Sequence, residues 1–371
     1  MRRCIVYVRL NLLCLSLIIG QACKKEINSS PAPVNLENYR TFQLSAGDYK
    51  SFVLKSDHTL WAAGSNQNEE FGLGVAPEVK NGLIKIMTNV SAVSSGVVYT
   101  LVVKNDGTLW ISGKNGPGLE AGVGFIKIAD DVVSAKAVYV TGIALGVFLK
   151  SDKSVWMISA GQEPKVRKLM DGVSKIEAGA RHALFLSPDH VLWGFGENSS
   201  GQFGTGHNDP RMPNGMATTP IQLTNNVIDM AGGNLHTLIL KTDKTLWAAG
   251  NNGGGQLGDG TTTSRFLPAK ITDKVIGISC GFTHSFYIKE DLSLWAMGNN
   301  GSGQFGDGTT NGKLVPIKIT DKVVKVSSGI SQTIILKTDS TFWAAGSNKY
   351  GELGTGETTS SLTFAKMKFN E

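Results

Sequence analysis

The stretch from Gly281 to Gly308 reads GFTHSFYIKEDLSLWAMGNNGSGQFGDG, and its pattern recurs along the chain. The copies that open at Gly233 and Gly329 keep the same register through the tryptophan and the glycines that follow it. The tryptophans stand 49, 46, 37, 54, 48 and 48 residues apart, which indicates seven copies of one unit. All seven tryptophans of the chain occupy the same place in this unit: Trp61, Trp110, Trp156, Trp193, Trp247, Trp295 and Trp343.

Each unit has the pattern of four short strands. Residues 284–289 and 294–297 are apolar runs, and the polar turn at Asp291 between them favours a hairpin. Two further strands are expected ahead of the unit, at 267–271 and 275–279. We expect the tryptophan to pack against the facing sheet, and the Leu or Phe of the Gly-Gln-Leu/Phe-Gly motif to be buried. The sequence therefore predicts an all-β fold, a seven-bladed β-propeller with four-stranded blades.

The two ends of the repeat region predict how the ring closes. In this frame the first unit, which opens near Tyr39, lacks its outermost strand. Residues 362–369 match the strand pattern of 267–271 but have no unit after them. We therefore expect the C-terminal strand to complete the first blade and to remove the open edge of the ring.

The repeat resembles that of the regulator of chromosome condensation family. The shared pattern is Gly-x-x-His-Ser/Thr, then Leu-Trp-x-x-Gly-x-Asn-x-x-Gly-Gln-Leu/Phe-Gly. The resemblance covers residues 39–371 and is strongest in copies four to seven, whereas copy two departs from it after Asn115 and copy three after Trp156. The resemblance implies a seven-bladed propeller, and bacterial relatives in this family include secreted inhibitors of β-lactamase.

The first 38 residues are predicted to export the chain and to anchor it. Three arginines precede a short apolar run at 10–20, which is too short to span a bilayer and is typical of a signal peptide. The small residues before Cys23 resemble the lipobox of bacterial lipoproteins, in which that cysteine is acylated. We expect a signal peptide at 1–22, lipidated Cys23 with a flexible tether at 23–38, and the propeller at 39–371. Cleavage as an ordinary signal peptide, giving a secreted protein, is the alternative.

Charge and cysteine content narrow the classes of partner. The net charge of +6 falls to +3 once the three arginines of residues 1–22 are removed, and no long basic run remains, so nucleic-acid binding is not expected. Only Cys280 is left in the mature domain, where no internal disulfide can form and a buried small side chain is expected. We expect a monomer whose contact with the membrane is made only through the N-terminal lipid.

The sequence contains no motif that predicts a catalytic, metal-binding or cofactor-binding site. Two Gly-x-Gly-x-x-Gly matches, at 253–258 and 301–306, are followed by strands and not by the helix that a dinucleotide site needs. His182, His236 and His284 share one repeat position, and we expect each imidazole to bond a nearby backbone group instead of forming a metal or catalytic cluster. The sequence therefore predicts no catalytic residue, no metal ligand, no cofactor-binding residue and no cofactor.

Loops on a rigid scaffold remain the expected place for recognition. The longest connection in the regular part runs from 205 to 220 and departs from the repeat, although a tolerated insertion would look the same. Its candidate binding residues are His207, Asp209, Arg211 and Met212. We expect a lipid-anchored propeller of the cell envelope, periplasmic or surface-facing, that binds a protein or a surface glycan. The alternatives are an enzyme acting on extracellular polysaccharide or peptidoglycan and a β-lactamase-inhibitor-like protein.

Overall fold

The computed structural model describes residues 34–74, 80–113, 124–140, 144–159, 165–207, 209 and 211–370. The chain divides into Met1–Asn35 and Leu36–Glu371. The predicted signal peptide and Cys23 lie outside the described residues. Among the residues that are described, no helix is long and apolar enough to cross a membrane.

Short strands dominate the secondary structure of the described residues in the second unit. Those of the first four blades are β1 (Gln43–Ala46), β2 (Lys50–Leu54), β3 (Leu60–Gly64), β4 (Lys80–Met87), β5 (Val90–Ser95), β6 (Thr100–Lys104), β7 (Leu109–Ser112), β8 (Ile126–Ala129), β9 (Val132–Val140), β10 (Ala144–Lys150), β11 (Val155–Ser159), β12 (Lys165–Met170), β13 (Lys175–Ala178), β14 (His182–Leu186), β15 (Leu192–Glu197) and β16 (Met216–Thr224). The remaining strands are β17 (Val227–Gly232), β18 (His236–Lys241), β19 (Leu246–Gly250), β20 (Arg265–Thr272), β21 (Val275–Cys280), β22 (His284–Lys289), β23 (Leu294–Gly298), β24 (Lys313–Thr320), β25 (Val323–Ser328), β26 (Gln332–Lys337), β27 (Phe342–Gly346), β28 (Ser361–Lys366) and β29 (Phe369–Asn370).

The strands form seven antiparallel sheets, each built from four consecutive strands. The first strand of every blade lines the central cavity, and the fourth lies outermost. Because the strands alternate in direction, the connections fall on two faces of the ring. The loop face carries the turns between first and second strands and the long loops between third and fourth strands. The turn face carries the tight hairpins between second and third strands and the links between blades. The predicted seven-bladed propeller is confirmed.

The blade boundaries differ by one strand from the frame read in the sequence. Residues 267–271, placed ahead of the sixth unit, belong to β20 and finish the fifth blade. The first blade likewise has its own outer strand, β4, so it is complete without the C-terminus. The reason is that the long loop after each third strand returns the chain antiparallel to that same strand. The outer strand therefore completes the blade that precedes it in the sequence.

The C-terminal strand closes the ring, as predicted, although in a different form. Strand β28 completes blade seven, and only β29 joins the sheet of blade one. It pairs in parallel with the outside of β4, where Phe369 lies opposite Leu83 and Asn370 opposite Ile84. The N–H of Leu83 donates to the carbonyl of Lys368 at 2.8 Å. Strand β29, which we call the strap, is therefore a fifth strand on the outer edge of blade one.

The core is divided among the junctions between blades. Among the described residues, seven apolar clusters each join two neighbouring blades. The Leu or Phe plug of the glycine motif is buried in five blades, which confirms its prediction, and its N–H donates at 2.8–3.0 Å to the Asn side chain five residues earlier. These plugs are Phe71, Phe203, Leu257, Phe305 and Leu353.

A glycine that ends the third strand permits this packing. Gly250 has a φ of +108°, and a Cβ there would lie 2.4 Å from the carbonyl oxygen of Leu235. Only glycine fits this close approach without strain. The Trp-x-x-Gly spacing therefore reflects a steric requirement at the start of the long loop in six blades, whereas blade three has Ser159 at this place.

A single 3₁₀ turn, Leu36–Tyr39, precedes the first strand. The hydroxyl of Tyr39 donates to the carbonyl of Thr338, in the hairpin of blade seven. The Nζ of Lys325 donates to the carbonyl of Phe42. The segment before β1 is therefore fixed to the turn face at the junction of blades seven and one.

Candidate functional site

The central channel is a cavity of about 620 Å³ lined by the seven inner strands. Serines on these strands join successive blades through side-chain to backbone hydrogen bonds. Ser45 accepts the N–H of Ser95 at 3.0 Å, and Ser94 accepts the N–H of Ala137 at 3.0 Å. Ser327 accepts the N–H of Ala46 at 3.0 Å across the closing junction. The serines satisfy main-chain donors that the inner edges of the blades would otherwise leave unpaired.

Charged side chains continue the same pattern on the far side of the channel. Lys136 pairs with Glu177 at 2.8 Å, and Lys175 with Asp229 at 2.5 Å, each pair joining neighbouring blades. Burial, with the nearby charge of Lys175, lowers the pKa of Lys325 to about 8. The sequence does not predict these five residues, because contacts across blades depend on how neighbouring blades pack.

The channel opens on the loop face into a mouth of about 680 Å³ lined by the turns between first and second strands. Its rim is apolar: the side chains of Val97 and Phe282 are 54% and 39% exposed. Ile330 occupies the same place in blade seven. Apolar residues at the tips of short turns, each directly after a glycine, are the sequence signal that would have located this mouth.

Carboxylates lie beside the mouth at the junction of blades seven and one. Burial raises the pKa of Asp48, which lines the mouth. Glu70 and Glu352 are buried and accept backbone N–H groups of their own loops, from Asn68 and Tyr350. Because these two carboxylates are committed to loop structure, they do not form an open pair of the kind that a polysaccharide-cleaving site requires.

Lys50 is buried among these acids. Its Nζ donates to the carbonyl of Val97 at 2.7 Å and to Glu70 Oε1 at 3.3 Å. Burial lowers the pKa of Lys50, and the negative charge of Glu70 opposes this shift. Lys50 stands at the repeat position that histidine holds in blades four to six.

In blades four and five this position, the first residue of the second strand, bridges the blade to the next one. His182 Nε2 lies 2.9 Å from Thr237 Oγ1, and His236 Nε2 lies 2.9 Å from Ser285 Oγ. The partners are hydroxyls of the next blade and not the backbone groups expected from the sequence. Burial lowers the pKa of His182 to about 4 and those of His236 and His284 to about 3. All three imidazoles are therefore neutral, and His182 and His236 link neighbouring blades, whereas neither ring nitrogen of His284 has a hydrogen-bond partner among the described residues.

The tryptophans lie at the turn face, each against the preceding blade. In six blades an aspartate of the hairpin accepts a hydrogen bond from a Thr or Ser hydroxyl, which in turn accepts the indole N–H. Asp243, Thr245 and Trp247 show the arrangement, with the indole N–H 2.9 Å from Thr245 Oγ1. Blade four departs from it, because Val191 replaces the hydroxyl residue. The hairpin aspartate thus orients the tryptophan as well as shaping the turn.

The candidate loop lies on the loop face but is more ordered than a free insertion. Arg211 forms an ion pair with Asp209 at 2.5 Å and donates to the carbonyl of Gln222 at 2.9 Å. The hydrogen bond from Arg211 lowers the pKa of Asp209 to about 2. His207 stacks on Phe266 of the next blade with 3.7 Å between ring centroids. Met212 is buried in the core and the Asp209 side chain is only 6% exposed, which leaves His207 and Arg211 available to a partner.

Cys280 is a half-buried thiol on the channel wall. Its Sγ lies 3.3 Å from the carbonyl of Ala231. Burial raises its pKa to about 12, so the thiolate needed for nucleophilic chemistry is not formed at neutral pH. Among the described residues, no group of three or more His, Cys, Asp or Glu side chains is placed to hold a metal ion.

Two family models, both described as the regulator of chromosome condensation (RCC1) repeat, match the chain. One matches residues 189–240, 243–288 and 293–336, and the other residues 173–202, 227–256 and 275–304. The chain is an RCC1-repeat propeller. The matched segments fall in blades four to seven, where the sequence pattern is also strongest.

Relatives of this RCC1-repeat propeller include much longer proteins. The ultraviolet-B receptor UVR8 of Arabidopsis thaliana is 32% identical over 100 residues, which is 26% of this chain and 21% of UVR8. The human probable E3 ubiquitin-protein ligase HERC6 is 31% identical over 256 residues, 61% of this chain and 25% of HERC6. The matched part of the chain thus spans no more than about a quarter of either protein.

Solved structures share the fold of the RCC1-repeat propeller. Yeast RCC1 (Prp20), solved with Kap60 bound, has a TM-score of 0.72 at 17% identity, covering 95% of this chain and 91% of that chain. Human WBSCR16 has a TM-score of 0.68 at 19% identity, covering 79% of this chain and 87% of that chain. At these identities the likeness shows the architecture alone.

Proposed function

We propose that this RCC1-repeat propeller is an exported, lipid-anchored scaffold that binds a partner protein at the loop-face mouth of its channel. The observation that carries the proposal is the apolar rim of the mouth, where Val97 and Phe282 are exposed on turns held by the ring. Exposed apolar groups on a rigid concave surface favour contact with a protein. One of the solved structures with this fold is yeast RCC1 with Kap60 bound, and that complex supports a protein-binding role.

A protein partner fits the mouth better than a glycan. Glycan recognition relies on polar groups that match sugar hydroxyls, and the lining of the mouth is dominated by Val, Ala, Gly, Ile and Phe. The candidate loop supplies polar groups on the same face, through Arg211 and His207. We place the apolar anchors of the interface at the mouth and its polar rim at this loop.

Site-specific photo-crosslinking in cells tests the binding surface. We expect a photoreactive phenylalanine at position 282 to capture one partner protein, and Val97→Asp to abolish the capture because it places a charge in the apolar contact. Leu267, which is 66% exposed on the outer strand of blade five, provides the control position. Capture of the same proteins from positions 267 and 282, or of none from 282, would contradict the proposal.

Export and anchoring rest on Cys23 and need a separate experiment. We expect the full chain to incorporate a labelled fatty acid and to fractionate with membranes, and Cys23→Ser to lose both properties because the acylated thiol is removed. Cys280→Ser is the matched control. Labelling that persists in Cys23→Ser would show that the anchor is elsewhere or absent.

A further inference from the structure

The C-terminal strap shows that the outer edge of a blade can accept an added strand. Beyond the bond from Leu83 to Lys368, the ring of Phe369 lies edge-on to Trp61 with 5.1 Å between centroids. The Nζ of Lys55 lies 3.8 Å from the centre of the Phe369 ring. Backbone pairing and an aromatic contact therefore act together at this edge.

The strap changes the exposure of the tryptophan beneath it. Trp61 is only 4% exposed, whereas the other six tryptophans are half-buried. In blade seven, Lys337 Nζ lies 4.9 Å from the centre of the Trp343 ring, as Lys55 lies 4.4 Å from that of Trp61. Trp343 thus has the surroundings of Trp61 without the aromatic cover.

Proline blocks strand addition on three other blades. The residue that donates to the strap, Leu83, lies two positions before Lys85, the cross-strand partner of Trp61. The corresponding residues of blades four, five and six are Pro220, Pro268 and Pro316. Proline has no N–H, so these edges cannot make the bond that Leu83 makes, a known protection of edge strands.

Blade seven lacks this protection, as do blades two and three, where the corresponding residues are Phe125 and Val166. The corresponding residue of β28 is Phe364, two positions before Lys366, the cross-strand partner of Trp343. Phe364 keeps its N–H, and the chain leaves β28 after Lys366 to join blade one. Two lysines, Lys337 and Lys366, flank the half-buried indole, and their charge favours acidic residues in a bound segment. The lysines that correspond to Lys366 in blades two and three pair with Asp130 and Asp171 at 2.6 Å, whereas the place of that aspartate in blade seven is taken by Phe369.

We propose that β28 is a second docking edge, which binds an extended segment of a partner protein. The segment pairs in parallel with β28, as β29 does with β4, and accepts the N–H of Phe364. An aromatic side chain of the segment packs on Trp343. Acidic residues on either side of this aromatic residue pair with Lys337 and Lys366. Strand addition of this kind takes affinity from the main chain and specificity from alternate side chains.

The test uses the full chain and a synthetic peptide, Thr-Val-Glu-X-Glu-Val-Thr, in which X is a photoreactive benzoylphenylalanine. We expect illumination to label residues 337–343 or 361–366, located by mass spectrometry. Phe364→Pro should reduce this labelling at least about tenfold, because one backbone hydrogen bond and its geometry are lost. Proline at the equivalent place in blades four to six shows that the backbone tolerates it, and a thermal melt checks folding.

The reciprocal variant gives an independent result. Pro316→Phe should create a second labelled edge on blade six, next to Trp295 and Lys289. Phe282→Asp should leave the labelling of β28 unchanged, because Phe282 lies at the channel mouth. The two proposals can therefore fail independently of each other. The inference is overturned if the peptide labels only blade one in place of β29, if Phe364→Pro has no effect in a folded protein, or if Pro316→Phe gains no label.

Discussion

At the residue scale, the hairpin aspartate acts in six blades on the tryptophan four positions later, through the hydroxyl between them. Asp243 accepts the hydrogen bond of Thr245, and Thr245 accepts that of the Trp247 indole. The hydrogen bond from Thr245 lowers the pKa of Asp243, so this carboxylate stays charged in mildly acidic solution. The Asp-x-Thr/Ser-x-Trp spacing therefore orients the ring that packs against the neighbouring blade.

Removing the hydroxyl between the aspartate and the tryptophan should lower the stability of the protein without changing how the tryptophan packs. We expect Thr245→Val to lower the free energy of unfolding by about 1–2 kcal/mol, since the half-buried indole N–H loses its acceptor. Urea unfolding would measure the difference. Blade four already carries Val191 at this position, so Val191→Thr is the matched reverse change and should be neutral or stabilising. A larger loss in Val191→Thr than in Thr245→Val would contradict this account.

The three buried histidines predict a steep loss of stability in acid. Their folded pKa values of about 3–4 lie below the ordinary value near 6.5, so the unfolded chain takes up protons that the folded chain refuses. The stability is complete above about pH 6.5 and falls as the pH drops toward 4, by up to about 4 kcal/mol per pH unit for three histidines. Urea midpoints measured between pH 7.5 and 5 would show it.

His236→Gln provides the control for this pH dependence. Gln332 occupies the same repeat position in blade seven and donates to the carbonyl of Gly47 at 2.7 Å, so glutamine suits the site. Removing one of three titrating groups should reduce the slope of stability against pH by about a third. An unchanged slope would mean that other groups carry the acid sensitivity.

At the element scale, the strap is the shortest strand of the fold, and its contribution comes mainly from one side chain. Phe369 contacts both Trp61 of blade one and Phe342 of blade seven, with centroid distances of 5.1 and 5.6 Å. We expect Phe369→Ala to lower the free energy of unfolding by about 2 kcal/mol, because an aromatic contact across the closing junction is lost. Thermal unfolding compares it with Asn370→Ala, for which little change is expected, and equal losses would contradict the role given to Phe369.

The elements were predictable where the repeat encodes them locally. The hairpins, the plug residues and the count of blades follow from spacing, because each depends on residues a few positions apart. The assignment of the outer strand to its blade was wrong, because strand order depends on which neighbour the long loop returns to. Residues 362–369 therefore divide between blade seven and the strap, whereas the sequence frame placed them together in blade one.

At the scale of the whole molecule, the ring depends on the junction of blades seven and one. Deleting residues 367–371 leaves β28 in place but removes the strap. The blades next to this junction should therefore unfold before the other blades. We expect the unfolding curves from tryptophan fluorescence and from circular dichroism to separate, whereas those of the full chain coincide. Coincident curves in the deletion variant would show that the other contacts of this junction suffice for closure.

The candidate site was less predictable than the fold because it is assembled across blades. Val97 and Phe282 line one mouth only when the ring is assembled, and the ion pairs Lys136–Glu177 and Lys175–Asp229 form only when neighbouring blades pack. No local pattern encodes such contacts, since the paired residues lie about one repeat or several repeats apart. The loop at 205–220 departs from the repeat in sequence. Its ion pair between Asp209 and Arg211 nevertheless has a counterpart in the next blade, between Asp259 and Arg265.

The attachment of the Leu36–Tyr39 turn to Thr338 gives the ring a polarity. The first described residues therefore reach the ring on its turn face. The tryptophans lie on this same face, whereas the channel mouth with Phe282 lies on the opposite one. A partner at the mouth and a segment paired with β28 would thus occupy separate surfaces and would not compete.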